Sequence, residues 1–310
     1  MMEICVQSGG VVEHIGIEKG YDAIAKAGFT AIDWNATEHA LSGDRIRKLE
    51  YEGTCVFEKP LDAVLEYFAE EVAVIRKNGL TISQAHAPFP AYVPGHPEIL
   101  EYMIGIYKRN IELCDAVGCK NLIIHGISLA PADRENTRES ITQLNMHLYE
   151  SLIPTLLNCN VTVCLENLFT WDNGANEGVC SDAYEAVWYI DTLNHKAGRE
   201  VFGLCLDTGH LLLLGKDFRN YMPVLGKRIK ALHIHDNDGR VDRHLAPMTG
   251  KANWVYFCES LRQIGYEGDL SFETFAQIRA ALKFGEEMVQ PWLDLIYIIG
   301  KNFRDRIQGL

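Results

Sequence analysis

Short β-branched or apolar runs alternate with longer segments of helical period eight times along the 310 residues, and this alternation constrains the fold more than any other feature. Repeated strand–helix units pack as a parallel sheet with helices outside it. Strands are expected at residues 3–7, 31–34, 81–85, 121–125, 161–166, 202–207, 229–235 and 269–273. Asn121-Leu-Ile-Ile-His125 and Gly203-Leu-Cys-Leu-Asp207 are almost continuously apolar, which suits strands covered on both faces; sandwich strands would alternate. Leu100, Ile104, Tyr107, Ile111 and Cys114 recur at steps of four and three, so one stripe of a helix can lie on the sheet, and Gly118 supplies its stop. Residues 38–59 are polar, lack a clear period and read as a loop insertion after the second strand. Near the chain end, Met288, Trp292, Leu295, Ile299 and Phe303 form an apolar stripe expected to pack as the eighth helix, which Pro291 either begins or interrupts. No Pro- or Gly-rich linker or charge block divides the chain. The expected architecture is α/β, a single (β/α)8 TIM barrel over residues 1–310.

Composition narrows the function classes. Apolar residues make 47% and charged residues 23%, enough for a large core. Twenty-nine Lys and Arg against 42 Asp and Glu give −13, so the cationic footprint that dominates nucleic-acid affinity is missing, and DNA and anionic membranes drop in rank. Nine cysteines occur without a Cys-x-x-Cys pair, and Cys5, Cys164 and Cys205 sit in apolar runs as small core residues, which fits a reduced cytoplasm. Met1 to Gly10 lacks a basic-then-apolar leader, and no run approaches the roughly 18 apolar residues of a membrane span. Walker, Gly-x-Gly-x-x-Gly, His-Glu-x-x-His and Gly-x-Ser-x-Gly motifs are missing, so no nucleotide cofactor is implied.

The chemistry gathers where strands end. His86, His125, Glu166, Asp207, His233 and Glu273 fall at or near the carboxyl ends of strands three to eight, spaced by 39, 41, 41, 26 and 40 residues. Barrel strands point one way, so residues placed once per unit converge at one mouth. A single strand-ending His or Glu is more often a satisfied polar group or a helix cap. Six in phase are another matter, because clustered carboxylates repel and lose hydration unless a cation offsets them. Imidazole with carboxylate suits one divalent ion, zinc, manganese, iron, cobalt or magnesium. Two carboxylates flanking such an ion can exchange protons with a substrate carbon next to a carbonyl.

Val163-Cys-Leu-Glu166-Asn167, Leu204-Cys-Leu-Asp207-Thr-Gly-His210, His233-Ile-His235-Asp-Asn-Asp238, Asp242-Arg-His244 and Ser271-Phe-Glu273-Thr resemble the xylose-isomerase-like barrel superfamily of sugar isomerases, ketose epimerases and endonuclease IV. The resemblance implies that Glu166, Asp207, His233 and Glu273 hold one divalent metal, with Glu166 and Glu273 doubling as acid and base of an isomerase or epimerase. His235 is the alternative ligand on the same strand face, since side chains repeat every two residues. The family's His-x-x-Asp pattern, matched by His233 and Asp236, favours His233. A rival follows from the same comparison: His86, His125, His210, Asp242 and His244 match the extra ligands with which endonuclease IV holds three zinc ions for phosphodiester hydrolysis. In sugar-active relatives such histidines bind hydroxyl groups. A lyase acting on oxidised sugars or glycosides is a further branch.

The acidic balance and scattered arginines tilt the expectation toward a small-molecule sugar or sugar derivative. Trp34, Trp171 and Trp254 follow strands two, five and seven, where flat faces can cover a sugar ring or equally pack helix against barrel. A homo-oligomer stays open. Where relatives often read Pro-Gly-x-Gly-x-Ile-Asp-Trp after the seventh strand, this chain reads Pro247-Met248-Thr249-Gly250-Lys251-Ala252-Asn253-Trp254, so a different loop path is expected.

Overall fold

The computed structural model describes residues 2–310. Eight parallel strands form one sheet in the order β10-β1-β2-β3-β4-β5-β8-β9: β1 (Ile4–Gln7), β2 (Ala31–Trp34), β3 (Thr81–His86), β4 (Asn121–Ile123), β5 (Thr162–Glu166), β8 (Phe202–Asp207), β9 (Ile229–His233) and β10 (Leu270–Phe272). The ends of the sheet meet where Ile234 pairs with Phe272, the Ile234 amide donating to Ser271 O at 2.8 Å. This is the (β/α)8 barrel expected from the alternation. A separate antiparallel hairpin, β6 (Phe169–Trp171) with β7 (Ala175–Glu177), rises after β5. Among the described residues no helix is long and apolar enough to cross a membrane.

The side-chain period of two sets the barrel interior. Ile123, Cys164, Cys205 and Ala231 form a small buried cluster of their own, one residue from each of four adjacent strands. Two residues further along each chain stand His125, Glu166, Asp207 and His233. An apolar layer thus floors a polar one, while Leu165, Leu204, Leu206 and Leu232 belong to the larger core that includes helix residues. Small thiols at positions 164 and 205 fit where four strands crowd one layer.

The outer helices follow their stripes. Pro97–Val117 buries Leu100, Ile104, Tyr107, Ile111 and Cys114, and Gly118 closes it. Gly28 ends the helix Ile17–Ala27 at φ 106°, and a Cβ there would stand 2.7 Å from the Tyr297 ring. Two sequence expectations are corrected. Residues 38–59 are not a plain loop: they contain the end of Ala36–His39, the short helix Gly43–Arg47 and a turn at Val56–Glu58. Leu41, Ile46, Tyr51, Cys55, Val56 and Phe57 are buried there. Helices of four and five residues are too short for a period to show. The last helix, Val289–Gln308, carries Pro291 in its first turn and buries Leu293, Ile296, Ile299, Phe303 and Ile307, while Met288 and Leu295 are exposed. The buried stripe is therefore rotated from the expected one. In the loop after β9, Met248 takes a left-handed φ of 73°.

Candidate functional site

Each strand end delivers its side chain to one mouth. Four triads of ligand atoms, each within 4.8 Å of one another, interlock: His86–His125–Glu166, Glu166–Asp207–His233, Asp207–His210–His235 and His235–His244–Glu273. Asp242 joins through His244 Nε2 at 3.0 Å and His210 Nε2 at 3.6 Å. His233 stands between the two glutamates expected to move protons, its Nδ1 3.4 Å from Glu166 Oε1 and 3.7 Å from Glu273 Oε2. His235 Nε2 instead meets Asp207 Oδ2 at 2.9 Å. All ten ligand-type residues singled out in the sequence come together here.

Local structure explains the motifs around them. Asp207 Oδ1 caps the helix Thr208–Leu213 by accepting from the His210 amide at 2.7 Å, so the helix-cap reading of a strand-ending carboxylate is also true. Gly209 is required because a Cβ would lie 2.0 Å from His235 Cε1. Asn167 fastens β5 to β8 by donating to Asp207 O and accepting from its amide, and its carbonyl lies 2.9 Å from His210 Nδ1. Asp236 accepts from the amides of Met248, Gly250 and Ala252 and from Trp254 Nε1, which organises the loop behind Asp242 and His244. That hub brackets Met248 in its left-handed conformation.

Two contributors were missed from the sequence. Gln7, the last residue of β1, donates Nε2 to Glu273 Oε1 at 2.9 Å. Asp33 on β2 accepts from Gln84 Nε2 at 2.8 Å and faces His233 Nε2 at 3.3 Å, close but without full hydrogen-bond alignment. Extending the strand-end rule to strands one and two would have flagged both.

Electrostatics bind the cluster. Burial alone would raise the Glu166 and Glu273 carboxyls, but neighbouring imidazoles outweigh it: His125 and His233 hold Glu166, and His244 and His233 hold Glu273, well below the ordinary carboxylate range. Asp242 is lowered likewise by His210 and His244 against its burial. Conversely, carboxylates overcome burial to push His86 up to about 9 and His210 up to about 10, and raise His233 and His244. His125 goes the other way, because burial dominates.

This donor set fits a divalent cation. His86 Nε2 and His125 Nε2 face each other at 2.9 Å, and His125 Nε2 also comes within 2.9 Å of Glu166 Oε2. Yet Glu166 Oε2, Asp242 Oδ1 and His235 Nδ1 are buried without an aligned hydrogen-bond partner. Ligand atoms crowded around shared space, several unpaired, are what a metal site requires.

Above the cluster lies a cavity of about 540 Å³ with Phe89, Tyr92, Leu129, Phe169 and Phe275 in its walls. Its lining includes His86, His125, Glu166, His210, His233, Asp242, His244 and Glu273, whereas Asp207 and His235 are fully buried. The tryptophans separate. Trp34 is 0% exposed and packs edge-on against Phe68, and Trp254 is buried against Phe303, so these two are packing residues and neither lines the cavity. Trp171 stands 53% exposed on the β6–β7 hairpin, beside Phe169, which contacts the His210 ring. Asn173-Gly174, after the β-prone Phe169-Thr-Trp171, was the available signal for that hairpin.

Comparison with known proteins agrees with the geometry. The family described as xylose isomerase-like TIM barrel matches residues 21–290. The uncharacterized protein y4fM of Sinorhizobium fredii is 26% identical over 275 residues, 84% of this chain and 81% of that one. A probable endonuclease 4 of Mycoplasma pneumoniae is 26% identical over 184 residues, covering 55% of this chain and 58% of its own length. In structure, D-psicose 3-epimerase of Clostridium cellulolyticum superposes with a TM-score of 0.69 at 16% identity, over 97% of this chain and 99% of that one. On the match across most of its length and the barrel that carries it, the chain belongs to the xylose isomerase-like TIM barrel family.

Proposed function

We propose that this protein is a divalent-metal-dependent sugar isomerase or epimerase that moves a proton at a carbon next to a carbonyl. The observation that carries the reading is the convergence of Glu166 and Glu273 on His233 Nδ1, at 3.4 and 3.7 Å, with both carboxylates lining one cavity. The likeness in fold to sugar epimerases supports it. Glu166, Asp207, His233 and Glu273 would hold the metal. When bound, such an ion supplies Lewis acidity that offsets negative charge developing on the substrate oxygens. Both carboxyls are held ionised by their imidazole neighbours, so each can accept a proton. One takes the proton from carbon and can return that same proton to the neighbouring carbon, giving isomerisation; epimerisation needs the opposite carboxyl to take up a solvent proton first, which it then delivers to the other face. Gln7 fixes Glu273, and the histidines of the cavity wall orient hydroxyl groups. Expulsion of a substituent after the same abstraction would make the enzyme a lyase.

The test is solvent-deuterium incorporation by the metal-replete protein into ketoses, aldoses and oxidised sugars. Glu273→Gln should lose at least about a hundredfold in turnover with the fold retained. Undiminished turnover would remove Glu273 from this role.

A second reading has its own support. His86, His125, His210, Asp242 and His244 all join the cluster, and a relative named probable endonuclease 4 is similar over part of its length. A three-metal phosphodiesterase acting on abasic DNA predicts about three ions per chain and nicking of such DNA, whereas the sugar enzyme predicts about one and no nicking. The net charge of −13 weighs against a DNA substrate.

A further inference from the structure

A second hollow of about 520 Å³ opens beside the mouth cavity, and Ser128 and Leu129 line both. The two hollows adjoin at these residues, where Ser128 Oγ accepts from the Val179 amide at 2.8 Å. Each lobe lies within the range of small-molecule sites, roughly 300–1,000 Å³. The β6–β7 hairpin forms the partition. Successive strand residues point to opposite faces, and accordingly Phe169 lines the lobe over the ligand cluster while Thr170 lines the second. A single ring over Glu166 and Glu273 leaves the second lobe unused.

The lining of that lobe restricts its occupant. It contains no aromatic side chain among the described residues, which disfavours a nucleobase. Glu177, Asp182 and Glu185 line it beside one guanidinium, Arg138; Glu177 pairs with Lys216 at 2.7 Å, Asp182 caps the helix Ala183–Ala197 and Glu185 accepts from the Cys180 amide, and this acidic lining disfavours a phosphate or carboxylate. The rest of the lining sets the hydroxyls of Thr170 and Ser181 and the Arg138 guanidinium, able both to donate and to accept, beside apolar Leu129, Ile141 and Val179. A neutral polyhydroxylated ring matches it.

We propose that the substrate is a sugar extended by a second ring, a disaccharide or glycoside, with the reacting ring over the ligand cluster and the second ring in the lobe lined by Thr170 and Arg138. The inference rests on the sugar reading above and adds a substrate class to it. The metal-loaded full chain is offered matched single- and two-ring probes, D-fructose against lactulose, and the keto derivative of methyl glucoside against that of trehalose. Deuterium incorporation from solvent is followed by NMR. The two-ring member of the active pair is expected to show a kcat/KM about tenfold higher. Arg138→Ala, an exposed truncation, and Thr170→Trp, which fills the lobe, should each erase that advantage while single-ring rates stay within about twofold. Equal or faster exchange of the single ring, or variants that slow both members alike, overturns the two-ring assignment and leaves the sugar reading standing. Exchange with neither member of either pair, accompanied by nicking of abasic DNA, overturns both.

Discussion

On the proposed reading, Asp33 is the carboxylate that stands behind the metal ligand His233. It faces His233 Nε2, leaving Nδ1 toward Glu166 and Glu273, whereas His235 meets Asp207 through Nε2. A carboxylate behind a ligating imidazole fixes its tautomer and orientation, and its loss typically costs 10–100-fold in metal affinity. Asp33→Asn should therefore weaken zinc or manganese binding by roughly that factor in calorimetric titrations, with secondary structure unchanged. Unaltered affinity would assign the orienting role elsewhere. Protons compete for His233, the proposed imidazole ligand, and also occupy the imidazoles beside it. His86 and His210, lifted to about 9 and about 10 by carboxylates that overcome burial, contribute stability to the metal-free chain below their ordinary pKa near 6.5. That contribution fades as pH rises through the raised values. A metal needs neutral imidazole, so binding should release protons and tighten with rising pH. Titration at pH 7 in two buffers of different ionisation enthalpy checks this, and identical heats would contradict it.

At the scale of elements, the loop after β9 is held by a backbone conformation that its sequence does not favour. Met248 sits at φ 73°, 59% exposed, and Asp236 gathers the surrounding amides to keep it there. A left-handed side-chain residue costs about 1–2 kcal/mol, and Gly regains most of it, less its own added chain entropy. Met248→Gly is expected to stabilise the protein by about 1 kcal/mol in chemical denaturation, because little packing is lost. A destabilised variant would show that the thioether side chain packs more than its exposure implies. The elements that could be read from the sequence were those long enough to repeat: Pro97–Val117 showed five stripe residues, and each barrel strand its apolar run. Gly43–Arg47 and Phe169–Trp171 span one turn or three residues, and no period fits in them. Trp34 and Trp254 illustrate the other limit, since position after a strand does not tell which way a ring turns. Six ligand-type residues were legible because a parallel barrel converts their spacing into proximity, and His210, His235, Asp242 and His244 through the family motifs; Gln7 ends its strand but is no usual metal ligand, and Asp33 stands one residue short of its strand end.

For the whole molecule, the cluster is where folding and ligand binding meet. Four carboxylates, Glu166, Asp207, Asp242 and Glu273, share one buried region with six imidazoles. Any cation that binds only the folded chain adds about 4 kcal/mol at a thousand times its dissociation constant. Thermal unfolding with and without chelator should thus show a midpoint raised by several degrees on loading with at least one of zinc, manganese, cobalt, magnesium or iron. A midpoint indifferent to all five would argue against a resident ion. The floor beneath these donors has a last consequence. Ile123, Cys164, Cys205 and Ala231 lie two positions before His125, Glu166, Asp207 and His233, so packing and chemistry share one strand register. Insertion of a single residue between Cys164 and Glu166 would swing the carboxylate outward among the helices and drive Leu165 into the mouth. A change of length is therefore tolerated in the connecting loops, where lobes can be reshaped without disturbing the frame that holds the donors.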